Sequence, residues 1–273
     1  MKRFLVLSCS VAISALFFHA CSSSDDSMID APLTRADAVS EKIVFQDDFN
    51  QVDSIPDRNK WSLCKKGSPA WSKYLSESYD QAYVHDGKLV LVAEKVNGVY
   101  KTGGVQSLGK AEFQYGKIEI CARFTKTAKG GWPAIWMMPA KPVYSGWPAC
   151  GEIDIMENVG YDPDTIVGSS HTEKYNHAIG TQKNAKIACT DCYKAFHVYA
   201  LEWEEDEYRL YVDDQLYFTF KNEGTGYEVW PYDKRFHILL NLAIGGNWGG
   251  QKGIDDSLFP HVFEIDYVRV YKK

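Results

Sequence analysis

The chain has 273 residues, of which 45% are hydrophobic, 24% charged and 14% aromatic, so it can bury a core and global disorder is excluded. Its formal net charge is −6; leaving out Lys2 and Arg3 of the first twenty residues puts 28 basic against 36 acidic residues, or −8. That balance argues against a nucleic-acid partner, which needs a basic surface.

Residues 1–20 read as a secretory signal peptide. Lys2 and Arg3 precede an apolar run from Phe4 to Phe18, and Ala20-Cys21 follows. The run is too short for a membrane-spanning helix. A cysteine directly after a small residue is expected to become the lipidated first residue of a bacterial lipoprotein, here Cys21; plain cleavage and release is the alternative. Ser22-Ser23-Ser24-Asp25-Asp26 resembles the acidic export signal of Bacteroides-type lipoproteins, which implies an outer-membrane protein exposed at the cell surface. Residues 21–41 show no apolar period and read as a flexible tether. Residues 42–273 show no internal boundary and read as one domain.

From Ile43 onward the pattern is of short strands and turns. Lys88–Ala93 follows an Asp86-Gly87 turn signal, and Gly116–Phe124 alternates polar with apolar residues. Gly151-Glu152-Ile153-Asp154-Ile155-Met156-Glu157-Asn158 concentrates three acids. Tyr208–Val212 and Gln215–Phe220 flank Asp213-Asp214 and predict a hairpin. Phe236–Ile244 is a nearly continuous apolar strand, and Phe263–Tyr271 alternates cleanly. Many strands and no sustained helical period predict an all-β fold, a sandwich of two antiparallel sheets. Five cysteines lie in this stretch: Cys64, Cys121, Cys150, Cys189 and Cys192. Cys189-Thr190-Asp191-Cys192 has the spacing of half a zinc site, but no second cysteine pair accompanies it. A local disulfide or two unpaired thiols is the preferred expectation.

The acidic strand is the strongest chemical signal. Alternate residues of a strand share a face, so Glu152 and Asp154 lie together while Ile153 and Ile155 pack on the other side. Strict alternation would put Glu157 with the isoleucines. One extra residue near Ile155-Met156, a β-bulge, returns it to the acidic face. Crowded carboxylates raise each other's pKa, which suits glycoside hydrolysis: one carboxylate attacks while another carboxyl donates a proton. An acidic strand edge or a calcium site is the plainer alternative. Trp132, Trp136 and Trp147 lie just upstream, and the chain carries 17 Tyr and 8 Trp in all. Such rings either stack on sugars or fill the core.

The strand Glu152-x-Asp154-x-x-Glu157 resembles that of glycoside hydrolase family 16. So do Trp132-Pro133-Ala134-Ile135-Trp136-Met137-Met138-Pro139, Phe196–Trp203, Asn241–Trp248 and the closing Phe263–Tyr271, in order over residues 42–273. The resemblance implies a jelly-roll sandwich with a concave substrate cleft and a retaining mechanism that needs no cofactor. It implies Glu152 as nucleophile, Glu157 as general acid/base and Asp154 as the residue that tunes the nucleophile. Trp132, Trp136 and Trp147 match sugar-lining positions, and Trp248 is a weaker cleft candidate. His171 either contacts substrate or the acid/base, or is a buried structural histidine. Asp266, with carbonyls near Asp48 and Gly87, matches a structural calcium site, although Asp266 fits an outward-facing strand residue equally.

The substrate expectation is an endo-acting cut in mixed-linkage β-1,3/1,4-glucan, in laminarin (β-1,3-glucan), or in both. A hydrolase of an algal galactan and a non-catalytic glycan-binding lipoprotein are the alternatives. The neighbourhood of Trp, Pro and Gly favours a neutral glucan, because sulfated galactans call for basic residues. Surface glycan-binding and import proteins are the expected partners of an anchored enzyme of this kind.

Overall fold

The computed structural model describes residues 41–124, 128–141 and 143–272. The signal segment, Cys21 and all of the tether before Glu41 lie outside the described residues. The first half of the chain forms β1 (Lys42–Asp47), β2 (Ser62–Leu63), β3 (Ala82–His85), β4 (Lys88–Val96), β5 (Val99–Thr102), β6 (Gly104–Gln106), β7 (Gly116–Phe124) and β8 (Gly131–Pro139). The second half forms β9 (Glu152–Val159), β10 (Asp162–His171), β11 (Lys183–Ala188), β12 (His197–Trp203), β13 (Glu207–Val212), β14 (Gln215–Lys221), β15 (Phe236–Ile244) and β16 (His261–Lys272). Helix among the described residues is confined to three one-turn 3-10 segments.

The strands build two antiparallel sheets. Nine strands form one, in the order β14-β13-β12-β7-β16-β4-β3, with β1 added on β16 and β5 on β4. Seven form the other, in the order β11-β10-β9-β8-β15-β6-β2. The acidic strand β9 is therefore central in its sheet, between β8 and β10.

Local chemistry explains the hairpins. Asp86 (φ 49°) and Gly87 (φ 67°) between β3 and β4, and Asp213 (φ 48°) and Asp214 (φ 65°) between β13 and β14, are all left-handed. Two such residues in succession match the twist of the flanking strands, and Asp and Gly tolerate them best. Burial follows the alternation: Leu89 and Leu91 of β4, Ile118 and Ile120 of β7, and Ile265 of β16 are inaccessible to solvent. They meet Ile153, Ile155 and Met156 of β9 in one core. Each such side chain contributes roughly 1.5–3 kcal/mol of burial. The continuously apolar β15 is buried along its whole length. A smaller apolar cluster containing Cys64, Leu75, Ala134, Trp136 and Leu239, with Trp71 against it, explains why both faces of β15 are covered. All five cysteines of the domain are unpaired thiols, so no local disulfide joins Cys189 to Cys192.

Candidate active site

The expected irregularity in β9 is present. Against β8, Asp154 pairs with Trp136 and Met156 with Ile135, so Ile155 has no partner and the register shifts by one. Against β10, Asp154 pairs with Ser169 and Glu157 with Val167, across the same shift. Ile153, Ile155 and Met156 are all fully buried in the core, two of them adjacent in sequence. Glu152, Asp154 and Glu157 consequently share the opposite face.

The three carboxyl groups differ in what they touch. Trp147 Nε1 donates to Glu152 Oε2. Trp132 Nε1 donates to Glu157 Oε1 at 3.0 Å. His171 Nε2 lies 3.2 Å from Asp154 Oδ2, and single donor atoms of Glu152, Asp154 and His171 all fall within 4.8 Å of one another. No lysine or arginine pairs with any of the three acids among the described residues. Burial pushes the pKa of all of them up: Glu152 to about 8, helped by the charge of Asp154, and Asp154 to about 7. Glu157 rises well above its ordinary value, from burial and then from the charges of Asp154 and Glu152. Glu152 has two opposing influences, the charge of His171 and the Trp147 hydrogen bond, whereas Glu157 has the Trp132 hydrogen bond alone. Between the two glutamates, the site thus favours the anion on Glu152 and the proton on Glu157. Burial lowers the pKa of His171.

Several residues hold this geometry. Gly151 has φ 86°, and a Cβ there would stand 2.7 Å from Pro231 Cγ, so only glycine lets β9 start where it does. The Tyr232 hydroxyl lies 3.0 Å from the carbonyl of Glu152 and 3.1 Å from that of His171, tying the start of β9 to the end of β10. The bulge leaves the Ile155 carbonyl without a ladder partner, and the Tyr217 hydroxyl of β14 donates to it at 2.5 Å. Tyr217 reaches it past Gly168 of β10, where a Cβ would stand 2.5 Å from the Tyr217 oxygen.

Residues 71–269 match the glycosyl hydrolases family 16. The chain belongs to this family. It is 39% identical to a beta-glucanase of Rhodothermus marinus over 246 residues, covering 85% of each chain. The solved laminarinase from Rhodothermus marinus matches with a TM-score of 0.80 at 39% identity, over 85% of this chain and 97% of that one. A keratan-sulfate endo-1,4-beta-galactosidase of Sphingobacterium multivorum is 36% identical over 243 residues, covering 85% of this chain and 55% of that protein. The present chain therefore spans about half the length of this last relative. The two antiparallel sheets are the family-16 jelly roll.

The remaining family-16 expectations divide. Trp147 is 40% exposed and free to meet a ligand. Trp132 is half-buried and packs edge-on against half-buried Trp248 at 5.5 Å, which brings Trp248 to the Glu157 side of the site. Trp136 differs: it is 6% exposed, its Nε1 donates to Asn241 Oδ1 at 2.7 Å, and Trp71 packs edge-on over it at 4.8 Å. Its ring supports the floor, and Trp71 takes the outer position. His171 is buried against Asp154 and Glu152. The sequence does not single out His177, which follows β10 and packs against Trp147 at 4.9 Å and His171 at 5.1 Å. Trp71 had one signal, an aromatic residue in a Gly67-Ser68-Pro69 loop.

The second metal expectation can be tested against donors. Asp47 pairs with Val268 and Leu89 with Ile265, so the chain segments carrying Asp48 and Gly87 converge on the part of β16 that holds Asp266. Oxygen donors there suit a hard cation. The Asp48 carboxylate accepts from Arg269 at 2.7 and 3.1 Å, so its side chain is already engaged.

Proposed function

We propose that this family-16 hydrolase is an endo-acting, retaining β-glucan hydrolase that cleaves mixed-linkage β-1,3/1,4-glucan, laminarin, or both. Glu152 attacks the anomeric carbon while Glu157 protonates the departing glycosidic oxygen. A covalent glycosyl-enzyme forms, and Glu157 then takes a proton from the water that releases the sugar. Asp154 hydrogen-bonds Glu152 and tunes it. The observation that carries this assignment is the unequal set of partners around buried carboxyl groups on one face without a cation. A binding protein gains nothing from that arrangement, whereas general acid catalysis needs a proton retained near neutral pH. Trp147, Trp132, Trp248 and Trp71 offer rings for sugar faces.

The test is a panel of barley mixed-linkage glucan, laminarin, agar and keratan sulfate, scored for new reducing ends and product size. Short oligosaccharides released early from the two glucans are expected. Cleavage of keratan sulfate or agar alone would favour the galactan alternative, in line with the keratan-sulfate relative. No cleavage of any polysaccharide would leave a binding protein.

Two further assignments belong to the same proposal. The segment ending at Cys21 supports a lipid anchor of the Bacteroides type, with the enzyme at the outer surface beside glycan-binding and import proteins. A calcium ion would be held by Asp266 and by carbonyls near Asp48 and Gly87; its part is structural, tying β1 and β4 to β16. A melting temperature lowered by EGTA and restored by calcium would support that ion.

A further inference from the structure

Away from the acidic strand, the crossover from β11 to β12 gathers a second cluster of metal-ligating groups. Cys189 follows β11, Asp191 and Cys192 lie in the turn, and His197 opens β12. This turn joins the seven-stranded sheet to the nine-stranded one. Donor atoms of Cys189, Asp191 and His197 lie within 4.8 Å of one another. Cys189 is 6% exposed and Cys192 fully buried. The Cys192 thiol bonds to the Cys189 carbonyl at 3.0 Å and is also hydrogen-bonded to the Cys189 thiol.

The imidazole is oriented as a ligand. His197 Nδ1 is 2.5 Å from Asp213 Oδ2, and the other Asp213 oxygen accepts from the Val198 amide at 2.8 Å. A carboxylate fixed in this way accepts a hydrogen bond from Nδ1–H, which keeps the proton on Nδ1 and leaves the lone pair on Nε2. That Nε2 is buried, makes no hydrogen bond, and faces the Cys189 thiol and Asp191, whose Oδ1 is 3.2 Å away. A lone pair, a sulfur and a carboxylate converging in one place is an arrangement that a thiophilic cation satisfies.

We propose that this crossover is a structural zinc site, held by Cys189, His197 Nε2 and Asp191, with Cys192 turning its sulfur from the Cys189 and Pro163 carbonyls to complete the set and Asp213 as the carboxylate that orients the histidine. Two sulfurs, one nitrogen and one oxygen give the four-coordinate set of a closed zinc site, and binding releases the thiol protons. The sequence shows only half of it, because the other two ligands are not a second cysteine pair. Asp191 supplies the way in, since its side chain is 57% exposed. The ion would cross-link the two sheets at one end of the sandwich, far in role from the carboxyl chemistry.

The experiment uses the full chain purified under mild reductant without chelator. Elemental analysis should find one zinc per chain. Cobalt(II) added to the zinc-free protein should give thiolate-to-cobalt charge-transfer absorption and the strong visible bands of a tetrahedral site. Cys189→Ser and His197→Ala should abolish both signals, and Cys121→Ser should leave them unchanged. Because the first two variants touch buried groups, Asp213→Asn provides a milder test: all four ligands remain, and zinc affinity should fall ~10–100-fold. Reduced thiols with no bound metal and no cobalt spectrum would overturn the proposal. So would a Cys189–Cys192 disulfide in the protein as isolated, seen as a mass two hydrogens lower, or an unchanged affinity in Asp213→Asn with the imidazole protonated instead.

Discussion

The two sheets carry acidic residues in opposite circumstances. On the nine-stranded sheet most strand acids have a cation, whereas Glu94 accepts from the Gln81 amide instead. Arg209 serves Glu202, Glu204 and Glu207, Lys117 pairs with Glu119, and Arg123 with Glu264. Lys221, then Arg209, holds Glu207 below the usual carboxylate pKa. On the seven-stranded sheet Glu152, Asp154 and Glu157 have indole N–H groups, a histidine and one another, and burial moves them all the other way. The residue types are the same; solvation and partner differ. Acids that lack cations and sit under tryptophan are where this fold raises carboxyl pKa values, and that is what marks the candidate catalytic face.

The comparison breaks first at the glutamates. Glu152→Gln or Glu157→Gln should lower kcat on barley glucan or laminarin by at least ~10²–10⁴-fold, the range for loss of an acid/base group. Arg209→Gln on the other sheet should leave kcat within about twofold, in keeping with the small worth of exposed ion pairs. Equal losses in both sheets would end the distinction.

The next effect is on stability against pH. With Glu152 at about 8 in the folded protein and 4.5 as the ordinary value, the folded state holds the extra proton between those limits. Stability is then full below pH 4.5 and falls as pH rises through about 8. Asp154→Asn removes one of the crowded charges. Denaturant unfolding should show it gaining on the order of 1–3 kcal/mol over the parent at pH 8, and little at pH 4.5, even as activity drops. A variant less stable at both pH values would mean the carboxyls are structurally paired after all.

Tyr217 gives a finer test, because it acts on the bulge from the opposite sheet. Tyr217→Phe leaves the Ile155 carbonyl unpaired and should cost about 1–3 kcal/mol. If the hydroxyl positions Glu157, the basic limb of the kcat–pH profile should also move, which a loss of packing alone would not do. The smallest effect is expected at Arg123→Gln, which opens the 2.7 Å pair with Glu264. It should change unfolding free energy by less than about 1 kcal/mol and leave the pH profile unchanged.

Much of this was legible in the chain. Alternation in Gly116–Phe124 and Phe263–Tyr271 appears as β7 and β16, and Asp213-Asp214 closes the hairpin it predicts. The extra residue in β9 was readable because three acids and two isoleucines cannot all satisfy a period of two. The strand β8 was less legible from pattern, since Pro133 and two tryptophans do not alternate as a half-buried strand would. Its register on β15, with Leu242 opposite Pro133, is a property of the sheet. Trp136 looked like a sugar platform because nothing near it in sequence announces Trp71, which lies over it from a distant loop.

Sequence by itself determined what depends on neighbours along the chain: the strand period, the left-handed turns at Asp and Gly, and the one-residue misfit that puts Glu157 beside Asp154. Tertiary structure decided what depends on neighbours in space. It chose which tryptophan is covered, sent Tyr217 across the core to the bulge, and turned His197 toward Asp191 and the Cys189 thiol of what looked like an incomplete motif. The reason is physical: backbone periodicity is set within a few residues, whereas desolvation, proton affinity and ligand geometry depend on which groups remote segments bring within a few ångströms.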